Sequence, residues 1–150
     1  MPTTEEITPW DPASLTPIFF ALLIFAALFG VAPLFFAPPS DFQPLENTAP
    51  FLASLLGIAA LFFAMALGVR RFFFLGPHHR GALAKGTDEY HRRLFVSALL
   101  AWGCAQALAL KGFVVFMMTY ELTLHVPFVA AAFFLFALTR PSTFSEDSSK

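Results

Sequence analysis

Four long runs of apolar residues, almost free of charge, alternate with short polar connections along this chain, and that pattern predicts its elements. Each run is long enough to be read as a helix that crosses a hydrocarbon core of ~30 Å at ~1.5 Å per residue. Helices are expected over residues 17–37, 51–75, 88–118 and 123–139. The expected fold is all-α: a four-helix transmembrane bundle occupying residues 1–140 as a single domain. The Ser-rich, acidic residues 141–150 read as a disordered tail.

Local signals punctuate the runs. Thr16 suits the cap of the first helix and Pro17 its first position, while Pro33 falls late enough to disturb only the last turn. Asn47 and Thr48 precede the second helix, with Pro50 near its first turn, and Gly76–Pro77 is its expected stop. Thr87 followed by Asp88 and Glu89 reads as a cap and a first turn whose negative charge suits the helix dipole. Pro127 is tolerated if it lies in the first turn of the last helix.

Composition supports the membrane reading. The chain is 57% hydrophobic and 13% charged, whereas a soluble domain carries about 25% charge, so it has too little polar surface to cover a globule in water. A net charge of −1 argues against nucleic acid as a partner. Glu5, Glu6 and Asp11 precede the first run where a secretory signal would be basic, so that run is expected to be retained as a span. Cys104 is the only cysteine and sits among apolar residues, where it acts as a small hydrophobe.

Basic residues set the expected orientation. Arg70, Arg71, Arg80, Lys85, Arg92 and Arg93 all lie between the second and third runs and form a membrane-surface basic loop, and Arg140 follows the fourth. By the positive-inside rule this loop is cytoplasmic, which places both termini in the cytoplasm; a bacterial cell inner membrane is the expected location.

Helices in lipid associate through close packing of small residues and interhelical hydrogen bonds. Four-residue spacing of small residues appears at Ala26 and Gly30, at Ala60, Ala64 and Gly68, and at Ser97, Ala101, Ala105 and Ala109. Gly103 and Ala107 form a further stripe on the third helix. A lone bundle needs one such face there, so the second is a candidate contact with another subunit or a second copy.

Candidate chemistry is sparse. Gln106 and Lys111 are the polar groups inside a span, with Glu121 and His125 in the following hairpin, and these four form a candidate intramembrane polar cluster. Counted from Leu94, Lys111 lies close to the far boundary of the membrane, where it is expected to pair with Glu121, and Gln106 lies nearer the middle, where its amide is expected to bond to a neighbouring helix. His78, His79 and His91 fall on the opposite side from His125, so no two intramembrane histidines can clasp a haem, and no cysteine or carboxylate set completes a metal site. No phosphate loop, metalloprotease motif or nucleophile elbow is present. No catalytic residue, cofactor or metal is expected. Small four-span enzymes of glutathione and eicosanoid metabolism share this size and helix count. They carry arginine, asparagine and glutamate at the inner end of helix two, where Arg70-Arg71-Phe72 supplies only the arginines.

The stretch Ala105-Gln106-Ala107-Leu108-Ala109-Leu110-Lys111-Gly112-Phe113-Val114-Val115 resembles the second helix of the proteolipid c subunit of rotary ATP synthases. That helix shows a carboxylate, then Ala, apolar residues, usually Tyr, and Gly-Leu-Val. Gln106 stands in the place of the proton-carrying carboxylate and Lys111 in that of the tyrosine, and 51–69 lacks the family's glycine-rich first helix. The resemblance implies a helical hairpin that has lost proton translocation.

The expected function is that of a non-enzymatic membrane protein, an accessory or assembly subunit of a larger complex, partnered by the lipid bilayer and by other membrane subunits or copies of itself. The alternative is a small transporter or channel component with a polar path through Gln106, Lys111, Glu121 and His125.

Overall fold

The computed structural model describes residues 14–43, 48–79, 81, 84 and 87–141, and every element among them is helical. Most of the expected tail, together with Asn47, Arg80 and Lys85, lies outside the described residues.

Helix α1 (Leu15–Val31) begins slightly before the expected Pro17, because Leu15 and Phe19 are already buried in the core. Pro33 has no N–H to offer the Phe29 carbonyl, and the chain tightens into a 3-10 turn over Ala32–Phe35. It ends there rather than at residue 37: Phe36 is already extended.

Helix α2 (Thr48–Gly68) carries Pro50 in its first turn, as expected. Its helical path then widens into π-helical turns over Val69–Leu75 and continues as a single turn, α3 (Gly76–His79). Gly76–Pro77 is therefore not a stop. The Gly76 N–H still bonds back to the Arg71 carbonyl, and Pro77 after it lies in the continuing path without an N–H to donate.

Helix α4 (Asp88–Thr119) starts as its sequence says: Thr87 Oγ1 accepts the Tyr90 N–H at 3.2 Å, with Asp88 and Glu89 in the first turn. It ends at Tyr120, whose φ of 52° is left-handed, a conformation usually left to Gly or Asn. Three contacts hold that turn. The Tyr120 ring packs against Phe42 and Phe116 at centroid distances of 4.6 and 5.3 Å, and Thr119 Oγ1 accepts the Glu121 N–H at 3.2 Å.

Helix α5 (Leu122–Leu138) follows after only Tyr120 and Glu121, so α4 and α5 form a tight antiparallel hairpin. It begins one residue before the expected 123, and two of its residues sit otherwise than expected. His125 is inside the helix and not in the hairpin, and Pro127 is a mid-helix proline that cannot donate to the Thr123 carbonyl.

Helix α4 is the core of the molecule and packs on α1, α2 and α5, most extensively on α5; α1 also meets α5, while α1 and α2 hardly touch. Half of the apolar stretch of α4 is buried, against 17% for α1 and 6% for α2. Trp102 is fully buried, edge-on to Phe19 at 5.2 Å, and its Nε1 donates to the Thr139 carbonyl at 2.9 Å. That bond fixes the level at which α5 ends. The α4 helix runs on for fourteen more residues to Asp88, about 21 Å at the α-helical rise.

Three segments, Leu15–Phe35, Ala49–Leu75 and Asp88–Thr119, are long and apolar enough to cross a membrane; α5 is apolar but shorter, at 17 residues. The fold is compatible with an integral membrane protein.

Candidate functional site

The α2–α4 seam holds the chemistry of greatest interest. Arg93 and Lys111 are eighteen residues apart, five full turns at 3.6 residues per turn, and so share one face of α4. Each is laid over a phenylalanine of the α2 path: the Arg93 guanidinium is 5.3 Å from the centre of the Phe73 ring, and Lys111 Nζ is 5.2 Å from that of Phe62. Both distances are within the range of a cation–π attraction.

Their surroundings differ. Arg93 Nε donates to Glu89 Oε1 at 2.6 Å, and Arg92 reaches the other oxygen at 2.5 Å, so the cluster beside Phe73 carries its own counter-charge. Lys111 Nζ is enclosed and makes no hydrogen bond among the described residues. The expected Lys111–Glu121 pair does not form. A helical side chain leans toward the N-terminus of its helix, so the Lys111 stem leads away from Glu121, which is exposed at the cap of α5.

Lys111 also sits deeper in the bundle than a count from Leu94 suggests. It is nine residues from Trp102, where α5 ends, and eight from Thr119, beside which α5 begins: about 13 and 12 Å. It is thus midway along the paired length of the hairpin. Gln106 moves correspondingly toward the Trp102 end. Its Oε1 is enclosed but accepts no hydrogen bond among the described residues, so the expected bond to a neighbouring helix is absent.

His125 occupies a different junction. Its ring is 2% exposed, and Nε2 lies 3.3 Å from the Gly30 carbonyl oxygen of α1. A carbonyl only accepts, so Nε2 carries the proton in that bond and Nδ1, enclosed and unpartnered, is the lone-pair nitrogen. Two glycines let the helices close around it. A Cβ on Gly112 would lie 2.9 Å from the Cβ of Phe128 and 3.1 Å from His125 Nδ1, and one on Gly30 would lie 3.1 Å from Val129 Cγ1. The junction locks α1, α4 and α5 together.

These positions keep the four cluster candidates apart. Lys111 faces α2, whereas Gln106, five residues earlier, is rotated about 140° around α4. Phe113, near Gln106 in direction, meets Phe29 of α1 and Phe36 just beyond the 3-10 turn. His125 faces α1 and Glu121 is exposed. No hydrogen bond or ion pair joins any two of them among the described residues.

The basic residues between α2 and α4 divide similarly. Arg70 donates to the Leu138 carbonyl at the end of α5, and with the Trp102–Thr139 bond it satisfies two carbonyls that the helix terminus leaves without partners. Arg71 is exposed, and Phe72 beside it is 77% exposed. No group of three or more metal-ligating side chains occurs among the described residues.

Two apolar faces remain open. A groove of about 490 Å³ runs between α2 and α5, lined by Ala60, Phe63 and Ala64 of α2, Leu108 of α4, and Pro127 and Ala131 of α5. The Ala60–Ala64 stripe thus borders a gap and not a packed interface, and Gly68 has open space at its Cβ position. The second open face is on α4 itself, where Leu100, Gly103, Leu110 and Val114 are exposed, with nothing within 4 Å of a Cβ built on Gly103. The stripe of Ser97, Ala101, Ala105 and Ala109, by contrast, is buried.

The sequence reading missed the His125 junction and the two side-chain caps on α5. A glycine in each of α1 and α4 was a visible signal for the first; the second depends on residues 37 and 68 positions apart. The chain matches no family model, no curated protein and no solved structure.

Proposed function

We propose that this chain is a small integral membrane protein without catalytic chemistry of its own, an accessory or assembly subunit of a larger complex in a bacterial-type inner membrane. The observation that carries this reading is the division of α4 into two small-residue faces. One is consumed inside the molecule and the other, at Gly103, is uncovered although α4 is otherwise the most buried helix. Small residues let helix backbones approach closely in lipid, and a face of this kind on a central helix suits a further helix from outside.

Orientation follows from charge. Arg70, Arg71, Arg92 and Arg93 lie at one end of the bundle and Tyr120 with Glu121 at the other, so the basic end is cytoplasmic and both termini are inside. Purification in mild detergent tests the reading: stoichiometric partner subunits, or a defined oligomer, are expected to accompany the chain. A monodisperse monomer would overturn it.

A further inference from the structure

We propose that the groove between α2 and α5 is the seat of an anionic phospholipid from the leaflet at the basic end, with one acyl chain in the groove and the phosphate on Arg71. This goes beyond the subunit reading and rests only on the chain lying in a bilayer.

The groove and the arginine form one track. Ala60, Ala64 and Leu67 line the groove and are exposed, and Arg71 follows Leu67 by four residues, about one helical turn, on the same face. The neighbouring line of α2 is already engaged. Phe63 stacks on Phe134 of α5 with ring centroids 6.2 Å apart, and Arg70 donates to the Leu138 carbonyl. Those two contacts tie α2 to α5 and leave the exposed track open beside them as far as Arg71.

Size and charge name the occupant. Along α2 the groove runs from Leu56 to Leu67, about 17 Å at the α-helical rise, close to half of a ~30 Å hydrocarbon core. Arg71 lies about 6 Å further on, near the level where α5 ends and Arg140 follows, which is where a headgroup phosphate belongs. Arg71 is exposed and makes no hydrogen bond or ion pair among the described residues. The described acids lie elsewhere. Asp41 and Glu121 flank the Phe42–Tyr120 contact at the opposite end, and Asp88 and Glu89 are in the first turn of α4, well beyond Trp102. A transmembrane helix is a poorer fit: about 10 Å across, it would occupy about 1,300 Å³ over that length, against a groove of about 490 Å³.

The test titrates the full chain in mild detergent with phosphatidylglycerol or phosphatidylcholine and counts retained lipid by native mass spectrometry. One phosphatidylglycerol is expected to bind about fivefold more tightly than phosphatidylcholine, the effect of a single basic residue at an anionic headgroup. Arg71→Gln removes that preference and Arg71→Lys keeps it. Ala64→Phe, which fills the groove from its exposed side and leaves Trp102 fluorescence unchanged, weakens both lipids by a similar factor. Arg92→Gln, on α4 and away from the groove, leaves the preference as it was. Equal retention of the two lipids, or an Arg92→Gln loss as large as that of Arg71→Gln, overturns the proposal. So does an Ala64→Phe chain that keeps both lipids, or a cross-link from Ala64→Cys to a partner helix in native membranes, which would give the groove to a protein. A chain that alkali strips from vesicles would overturn the membrane reading and this seat with it, whereas a partner complex recovered intact from the Arg71→Gln chain leaves the subunit reading standing whichever way the lipid result falls.

Discussion

Arg93 and Lys111 invite direct comparison. They project from the same face of one helix, five turns apart, and each lies over a phenylalanine of the neighbouring segment at nearly the same distance. Only the surroundings differ: Arg93 shares Glu89 with Arg92, while Lys111 has an aromatic face and no acceptor among the described residues. The first arrangement is complete within the chain and accounts for itself as structure. The second leaves an enclosed ammonium without a hydrogen bond among the described residues.

The comparison can be broken most severely at the scaffold that both contacts share. Gly112→Leu drives a side chain into Phe128 and His125 and should cost about 3 kcal/mol, separating α4 from α5. Reversible unfolding in detergent micelles would show it, together with loss of the buried Trp102 emission.

Lys111→Met keeps the stem over Phe62 and removes the unpaired charge, so the isolated chain should become more stable, by about 2 kcal/mol. The same unfolding assay reads it. A loss of stability instead would mean that the ammonium is satisfied within the chain.

The two phenylalanines sharpen the contrast further. Phe62→Leu should cost about 1–2 kcal/mol, since its cation is screened from water, whereas Phe73→Leu should cost about 0.5 kcal/mol at the more exposed end. Equal costs would mean that both cations are similarly hydrated.

The smallest effect belongs to Glu89→Gln. It should lower the unfolding temperature slightly at low salt and not at all in 1 M salt, because the pairs it breaks are partly exposed. Lys111-dependent behaviour should be untouched.

How far the sequence could be read depended on whether a feature is local. The Thr87 cap, the acidic first turn of α4 and the Pro33 disturbance are decided within a few residues and appear where expected. The tight turn before α5 was not legible because it depends on Tyr120, a bulky residue in a left-handed conformation held by Phe42 from a distant segment. The place of Lys111 midway along the α4–α5 pairing was hidden for a related reason: the end of α5 is fixed by Trp102 reaching Thr139, not by where apolar residues begin. Small-residue spacing marked both stripes of α4 alike. Which one is buried follows from where α1 and α5 pack, and no periodicity records that.

Because α1 and α2 hardly touch, and each relies on α4 for its packing, the order of synthesis matters. In a membrane the first two helices would enter the bilayer with almost nothing to assemble against. They must wait while the 44 residues from Leu75 to Thr119 are made, about 2–9 s at ordinary translation rates. The first half of this protein is therefore born as two independent spans, and only the arrival of the third turns the chain into a single structure.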